Sequence, residues 1–148
     1  MVVKDLGHIV LYVRDLERSR RFYATLLGWK EVASYGPLAA AFSSGRTHHE
    51  LLLIQVGADA TPIPSEPRLG LYHFGLKLGD SDDELRQAIA ELRAAGVPIV
   101  GMSDHGVTHS VYIKDPDGNE IELYIDVQPE LWRDKPLTSV MGTRPLRI

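Results

Sequence analysis

Two histidines and one glutamate are the residues of this chain best suited to bind a divalent metal ion. His8 and His73 each stand in a short run of apolar and aromatic residues, and Glu122 stands in a third run of this kind. Two histidines and one carboxylate on one side of an ion leave the remaining positions open, which is typical of non-haem Fe(II) oxygenases. An open coordination sphere indicates catalysis rather than a structural metal site.

The candidate ligands occupy corresponding places in a repeated pattern. Residues 6–15 return loosely as residues 71–80, and each copy is followed by a helical pattern that ends in glycine. Each unit later contains an acidic residue inside an apolar run, Glu50 in the first unit and Glu122 in the second. The duplication therefore predicts paired histidines and paired carboxylates, with Glu50 and Glu122 as equivalents.

The first unit shows the order strand, helix and three strands. Asp15 is suited to cap a helix and Gly28 to end it, and apolar residues between them recur at the spacing of an amphipathic helix. The β-branched and aromatic content of the first run favours a strand. The predicted strands are 6–13, 29–34, 39–44 and 49–56.

The second unit repeats this order with clearer local signals. Ser81 and Glu84 form a capping box at the start of a helix that runs to Ala95. Residues 115–119, with the sequence DPDGN, form a reverse turn between the last two strands. The predicted strands are 71–78, 97–101, 108–114 and 120–126.

Alternation of side chains along these strands bears on the candidate metal site. His8, His73 and Glu122 can meet if the two units pair about a pseudo-twofold axis. We therefore predict an α+β fold in which two βαβββ modules form a half-open, curled mixed β-sheet around a metal site. The predicted organisation is a single domain (1–148) with module 1 (about 5–57), a proline-rich linker (58–70), module 2 (about 71–126) and a C-terminal tail (127–148).

Composition argues against several classes of partner. The chain has 148 residues and a formal net charge of −4, so the strong positive charge of a nucleic-acid-binding protein is missing. It has no cysteine, which excludes disulfides and thiolate ligands. Because the sequence shows neither a signal peptide nor an apolar run long enough to cross a bilayer, we expect a cytoplasmic protein without a membrane partner.

Several motifs together resemble a known superfamily. They are the duplicated βαβββ order, the start HIVLYVRDL at 8–16 with FY at 22–23 and LG at 27–28, and the ending DPDGNEIEL at 115–123. These motifs are similar to the vicinal oxygen chelate superfamily, which includes glyoxalase I, type I extradiol ring-cleaving dioxygenases and antibiotic-binding resistance proteins. The resemblance covers about residues 5–126.

Three further segments resemble single-domain extradiol catechol dioxygenases in particular. The segment from His105 to Tyr112, followed by DPDG and Glu122, is similar to the signature of that branch, although Ser103 departs from its usual small apolar residue. His49 matches the second member of a histidine pair, and the tail through Trp132 resembles the tail of those enzymes. The resemblance implies that His49 is the acid–base catalyst and that Tyr112 and His105 hydrogen-bond the substrate.

The same resemblance implies the cofactor and the reaction. His8, His73 and Glu122 would hold Fe(II), with Mn(II), Ni(II) or Zn(II) as alternatives. The substrates would be a small aromatic diol and O₂, and the protein would form a homodimer or a higher homo-oligomer. The substituents of the diol are not readable from the sequence.

Strand alternation sets conditions on the remaining histidines. His105 and Tyr112 would face opposite ways on one strand, so His105 must lie in a loop or bulge to reach the site. His48 and His49 would also face opposite ways, so at most one of them points inward. For His109 we expect a surface or packing role, and for Trp132 the role of a packing anchor.

Glu50 supports an alternative function. Glyoxalase I resembles this fold with four ligands, and His8, Glu50, His73 and Glu122 would supply such a set for Ni(II) or Zn(II) and an isomerisation by proton transfer. That assignment gives no purpose to His48, His49 or the segment from His105 to Tyr112. A third possibility is a metal-free binding protein of the resistance class, which the retention of all three ligand types disfavours.

Overall fold

The computed structural model describes residues 1–133 and 142–148. These residues form two compact units, Met1–Pro64 and Ser65–Ile148. The division falls within the proline-rich segment 58–70, which contains neither helix nor strand. Among the described residues, no helix combines the length and the apolar character needed to cross a membrane. The part of the predicted tail at 134–141 lies outside the described residues.

Unit 1 is a four-stranded mixed sheet covered by one helical segment. Its strands follow the order β1-β4-β3-β2, with β1 parallel to β4 and the other pairs antiparallel. Side chains from the sheet are buried together with Tyr23 from the helical segment, and the Tyr23 ring lies 6.4 Å from that of Phe42 in the sheet. The elements are β1 (Ile9–Val13), α1 (Leu16–Arg20), a π-helical segment (Arg21–Leu26), β2 (Lys30–Ser34), β3 (Ala39–Ser43) and β4 (Leu51–Gln55).

The helix of unit 1 begins and ends where the sequence predicts. The Asp15 carboxylate accepts a hydrogen bond from the Arg18 amide at 3.0 Å, which confirms the N-cap. Gly28 has a φ of 71°, a left-handed conformation that suits glycine at a helix end. Between these ends the helix widens, and the Leu27 amide bonds to the Phe22 carbonyl five residues back.

Unit 2 is a five-stranded mixed sheet packed against a longer helix. The strand order is β5-β8-β7-β6-β9, with β5 parallel to β8 and the other pairs antiparallel. The short edge strand β9 comes from the tail, which the sequence did not predict to pair. The elements are β5 (His73–Gly79), α2 (Asp82–Ala94), β6 (Ile99–Asp104), β7 (Thr108–Lys114), β8 (Glu120–Asp126), a 3₁₀ turn (Pro129–Leu131) and β9 (Arg144–Pro145).

The local signals of unit 2 are confirmed. Ser81 and Glu84 form the reciprocal capping box at the start of α2, whose buried face consists of Leu85, Ile89 and Leu92. In the turn at 115–119 the Asp115 amide bonds to the Asn119 carbonyl at 2.9 Å. The α+β class and the repeated βαβββ order are therefore confirmed, but the strands of the two units form two open sheets rather than one continuous sheet.

The strand register corrects the equivalence of the two glutamates. The residue two places after the candidate histidine is Val10 in unit 1 and Gly75 in unit 2. Gly75 pairs with Glu122 on β8, whereas Val10 pairs with Leu52 on β4. Leu52 thus holds the place of Glu122, and the prediction that Glu50 does so is wrong. Apolar runs in a sequence do not fix the register of non-neighbouring strands.

Glu50 corresponds instead to Glu120, which pairs with His73. The Glu50 carboxylate accepts hydrogen bonds from the amide and the hydroxyl of Ser44, both at 2.9 Å, and the Arg46 Nε lies 3.5 Å from it. Burial opposes ionisation of Glu50, but hydrogen bonds from Ser44 and Ser43 and the charge of Arg46 together outweigh it, so the pKa is lowered. Glu50 therefore fastens the connection between β3 and β4.

A methyl group at Gly79 should disturb the capping box. The added Cβ would meet the carboxylate of Glu84, which accepts hydrogen bonds from the Asp80 and Ser81 amides, both at 3.0 Å. Gly79→Ala should therefore lower the free energy of unfolding by about 1 kcal/mol, the usual effect of losing a cap. Urea titration should show less than additive loss when Gly79→Ala is combined with Glu84→Ala. Gly7→Ala, which meets open space, is the control.

Charge at Glu50 should stabilise unit 1 at neutral pH. Because its pKa is lowered in the folded state, this stability is present above the unfolded value of about 4.3 and is lost as the pH falls through the folded value. Glu50→Gln should cost roughly 1 kcal/mol at pH 7 and less at pH 3.5. Urea unfolding at both pH values, with the exposed Glu66→Gln as control, measures the difference. An equal cost at both pH values would contradict this assignment.

Candidate metal and catalytic site

Unit 2 contains a cavity of about 560 Å³ on one face of its sheet. The walls come from β5, β7 and β8, from the connection between β6 and β7, and from the tail that follows β8. Four of the predicted site residues line it together. The lining residues are His73, His105, Val107, Thr108, Tyr112, Glu122, Tyr124, Asp126 and Trp132.

The pairing of β5 with β8 brings two predicted metal ligands together. The Nε2 atom of His73 lies 3.2 Å from the Oε2 atom of Glu122. Metal–ligand bonds of about 2.0–2.2 Å at right angles place neighbouring donor atoms roughly 3 Å apart, so this spacing suits two adjacent ligands of one ion. An imidazole nitrogen and a carboxylate oxygen also match the donors expected for iron. The residues present therefore fit a metal ion.

Tyr112 holds the other oxygen of the carboxylate. It lies on β7 directly beside Glu122, and its hydroxyl donates a hydrogen bond to Oε1 at 3.1 Å. Burial raises the pKa of Tyr112 to about 12, and the negative charge of Glu122 contributes to the same shift. Tyr112 thus remains protonated at neutral pH and acts as a hydrogen-bond donor.

His105 lies in the connection between β6 and β7, as expected for a residue that shares a cavity with Tyr112 although strand alternation would turn it away. Its Nε2 atom is 2.9 Å from the Tyr112 oxygen, and its Nδ1 atom is 3.3 Å from the Thr143 hydroxyl. Because the Tyr112 proton is directed to Glu122, the Tyr112 oxygen is left to accept a hydrogen bond from His105 Nε2. Thr143 was not predicted, because the tail has no periodic pattern.

Two residues fix the space available in this cavity. Gly75 lies beside Glu122, and a Cβ at Gly75 would come within 3.1 Å of the Tyr124 ring. A larger residue there would require the Tyr124 ring to shift. Trp132, predicted as a packing anchor, is half-buried and forms part of the cavity wall.

The histidines of unit 1 form a separate cluster. The His8 ring lies 4.6 Å from the His49 ring, and the Nδ1 atoms of His48 and His49 are 2.6 Å apart. Burial lowers the pKa of His49, and charge on His48 and His8 would lower it further. Both His48 and His49 precede β4 and line a cavity of about 500 Å³, His48 as an exposed and His49 as a half-buried side chain. Because neither lies on a strand, the expectation that they face opposite ways by alternation is wrong, and that at most one points inward stays a prediction. Strand alternation does not govern a connecting segment.

The cavity of unit 1 is otherwise apolar. Its walls hold alanine, leucine and isoleucine where the register of unit 2 places tyrosine and glutamate. Polar chemistry on the sheet face is therefore confined to the second unit. The corresponding pairs are Ala41 and Tyr112, Leu52 and Glu122, and Ile54 and Tyr124.

The structure assembles the predicted site residues in two groups. His73, His105, Tyr112 and Glu122 meet in unit 2, whereas His8 and His49 meet in unit 1, with His8 exposed directly before β1. Within residues 1–133 and 142–148, no three histidine, aspartate or glutamate side chains share metal-site geometry. The set of three ligands therefore stays a prediction.

His109 lines neither of the two cavities, which agrees with the surface or packing role expected for it. Its Nδ1 atom is 2.7 Å from an oxygen of Asp82 at the start of α2. The contact ties the helix to β7 and gives His109 a packing role.

Comparison with known proteins gives consistent matches. The family described as the Glyoxalase/Bleomycin resistance protein/Dioxygenase superfamily matches residues 5–123. Catechol-2,3-dioxygenase of Bacillus subtilis (strain 168) is 35% identical over 144 residues, which is 97% of this chain and 49% of that protein. Biphenyl-2,3-diol 1,2-dioxygenase 3 of Rhodococcus globerulus is 32% identical over 128 residues, 84% of this chain and 65% of that protein.

A solved structure agrees with these matches. The crystal structure of lactoylglutathione lyase from Agrobacterium tumefaciens superposes with a TM-score of 0.62 at 29% identity, over 84% of this chain and 93% of that chain. The chain spans about half of the length of the Bacillus relative and 65% of the Rhodococcus relative. From the extent of the family match and the shared fold, the chain belongs to the Glyoxalase/Bleomycin resistance protein/Dioxygenase superfamily.

Proposed function

We propose that this chain is an Fe(II)-dependent extradiol dioxygenase, which cleaves a catecholic ring beside its two hydroxyl groups and places both atoms of O₂ in the product. One observation carries the proposal: His73, Glu122, Tyr112 and His105 line a single cavity, and the first two offer donor atoms 3.2 Å apart. The two dioxygenases named above support it, because each name specifies ring diols as substrates.

His8, His73 and Glu122 are the proposed ligands. Bound Fe(II) would supply the redox chemistry, because it can pass electron density from a catecholate to dioxygen, whereas a d¹⁰ zinc ion cannot. With only three protein ligands, the bound ion would keep open positions for the substrates. We include Mn(II) as an alternative metal, a homo-oligomer as the assembly and the cytoplasm as the location.

The residues around the ligands would bind and orient the diol. Tyr112 and His105 line the same cavity, and they would exchange the hydrogen bond between them for bonds to the diol oxygens. The walls formed by Val107, Tyr124 and Trp132 suit the apolar faces of an aromatic ring. These walls also exclude water from one side of the ring.

His49 is the proposed acid–base catalyst. Its lowered pKa keeps the imidazole neutral at physiological pH, the form that can accept a proton from a diol hydroxyl. Its ring lies beside that of His8, which connects it to a proposed ligand.

The glyoxalase-like alternative is supported by the superposition with the lyase but requires Glu50 as a fourth ligand. Both oxygens of Glu50 are held within unit 1 by Ser44 and Arg46. Leu52, which cannot bind a metal, stands at the place of Glu122. These contacts favour three ligands over four, and with them the dioxygenase.

Anaerobic loading with Fe(II) should distinguish these functions. The Fe(II) protein should consume O₂ and catechol in equal amounts and form a yellow ring-fission product, measured with an oxygen electrode and by absorbance. Protein loaded with Zn(II) should do neither. Activity of the Ni(II) or Zn(II) form on a glutathione hemithioacetal would instead contradict the dioxygenase proposal. Tight binding of a planar ligand after chelator treatment, without turnover in any metal form, would favour the binding protein.

Replacing His49 should separate catalysis from metal binding. His49→Ala should keep its iron but lose turnover by roughly 10²–10⁴-fold, the usual contribution of a general acid or base. Iron content by elemental analysis and kcat under saturating O₂ measure the two effects. His109→Ala, which removes an imidazole outside both cavities, is the control and should keep both. Loss of iron from His49→Ala would show that the assignment of three ligands is wrong.

A further inference from the structure

We infer that Glu120 is a positioning residue for His73, accepting the Nδ1 proton of that imidazole when its Nε2 atom binds a metal ion. The inference rests on the proposed metal centre and concerns a carboxylate that is not one of its ligands. Glu120 would fix the tautomer and the ring orientation of His73, and through them the strength of metal binding.

The strand register puts the two residues side by side. His73 on β5 pairs directly with Glu120 on β8, and Glu120 Oε1 lies 3.8 Å from His73 Nδ1. The Nδ1 atom is buried and has no hydrogen-bond partner among the described residues. The Glu120 side chain is only 18% exposed. A small rotation of either side chain would bring the two atoms within hydrogen-bond distance.

The chemistry of imidazole gives this contact a direction. A neutral imidazole carries one proton, and the nitrogen without it supplies the lone pair that binds a metal. Nε2 of His73 faces Glu122, so ligation there leaves the proton on Nδ1. A buried N–H group needs an acceptor, and histidine ligands of metals usually donate this second proton to a carboxylate or carbonyl group. Glu120 is placed to be that acceptor.

Tyr72 interacts with both Glu120 and His73. The negative charge of Glu120 raises the pKa of Tyr72, and a hydrogen bond between the two side chains adds to the effect. The Tyr72 ring also lies 4.8 Å from the His73 ring. Tyr72 thus lies next to both members of the pair.

The repeat shows that this pair is specific to unit 2. The equivalent glutamate in unit 1 is Glu50, whose carboxylate is already bonded to Ser44 and lies near Arg46. Both units therefore have a glutamate beside the candidate histidine on the neighbouring chain segment. Among the described residues, Glu120 is the glutamate at this position whose carboxylate lies near the ring of a candidate ligand, 3.8 Å from His73 Nδ1.

Zn(II) affinity, measured by competition with a chromophoric chelator, tests the inference on the intact chain. Glu120→Ala should bind Zn(II) roughly 10- to 100-fold more weakly than wild type, the usual effect of removing a partner of a metal ligand. Glu120→Gln should fall between them, because its amide oxygen can still accept the Nδ1 proton. The exposed Glu66→Gln, which removes the same charge, should bind as wild type does. Glu122→Ala should lose most of the affinity.

Nitrogen-15 NMR of the Zn(II) form gives a second readout that a merely structural role would not change. Wild type should show His73 with its proton on Nδ1 and slow exchange of that proton, and Glu120→Ala should show faster exchange. Zn(II) binding by Glu120→Ala as tight as that of wild type would overturn the inference and leave the metal centre intact. Wild-type affinity unaffected by Glu122→Ala would overturn the metal centre as well. Should Glu120→Ala fail to fold, Glu120→Gln decides between these outcomes.

Discussion

The parallel pairing of β5 with β8 is the constraint on which the candidate site depends. It places Gly75 beside Glu122 and His73 beside Glu120, so the imidazole lies between two carboxylates. A shift by one residue would turn Glu122 into the core and a leucine or isoleucine into the cavity. The buried alternation of Ile121, Leu123 and Ile125 opposes such a shift, since it would expose three fully buried side chains. Packing of the core thus sets the geometry of the donors.

Duplication of the fold did not duplicate the chemistry. Both units use the same order of strands and the same parallel pair, but the cavity of unit 1 has alanine and leucine where unit 2 has Tyr112 and Glu122. Unit 1 offers His8 and His49 from segments that flank its strands. One copy therefore supplies an apolar surface with histidines at its edge, and the other supplies the polar network on the sheet itself.

Features set by neighbouring residues were predictable from the sequence, and features set by distant pairing were not. The capping box of Ser81 and the turn at 115–119 depend on a few adjacent residues, and both are confirmed. The register that moves Glu50 away from the place of Glu122 depends on strands more than forty residues apart. The contact of Thr143 with His105 depends on a tail without periodicity, so no local pattern predicts it.

The direction of the hydrogen bonds in unit 2 limits how Glu122 can bind an ion. Tyr112 keeps its proton because burial and the nearby carboxylate raise its pKa, and that proton is directed to Oε1. The Tyr112 oxygen is thereby left to accept from His105 Nε2, 2.9 Å away, and the Thr143 hydroxyl lies 3.3 Å from the other ring nitrogen of His105. With Oε1 engaged, Glu122 has one oxygen, Oε2, for an ion beside His73. A carboxylate that binds through one oxygen occupies one position fewer than a bidentate one. The network therefore favours the open coordination that the proposed dioxygenase reaction requires.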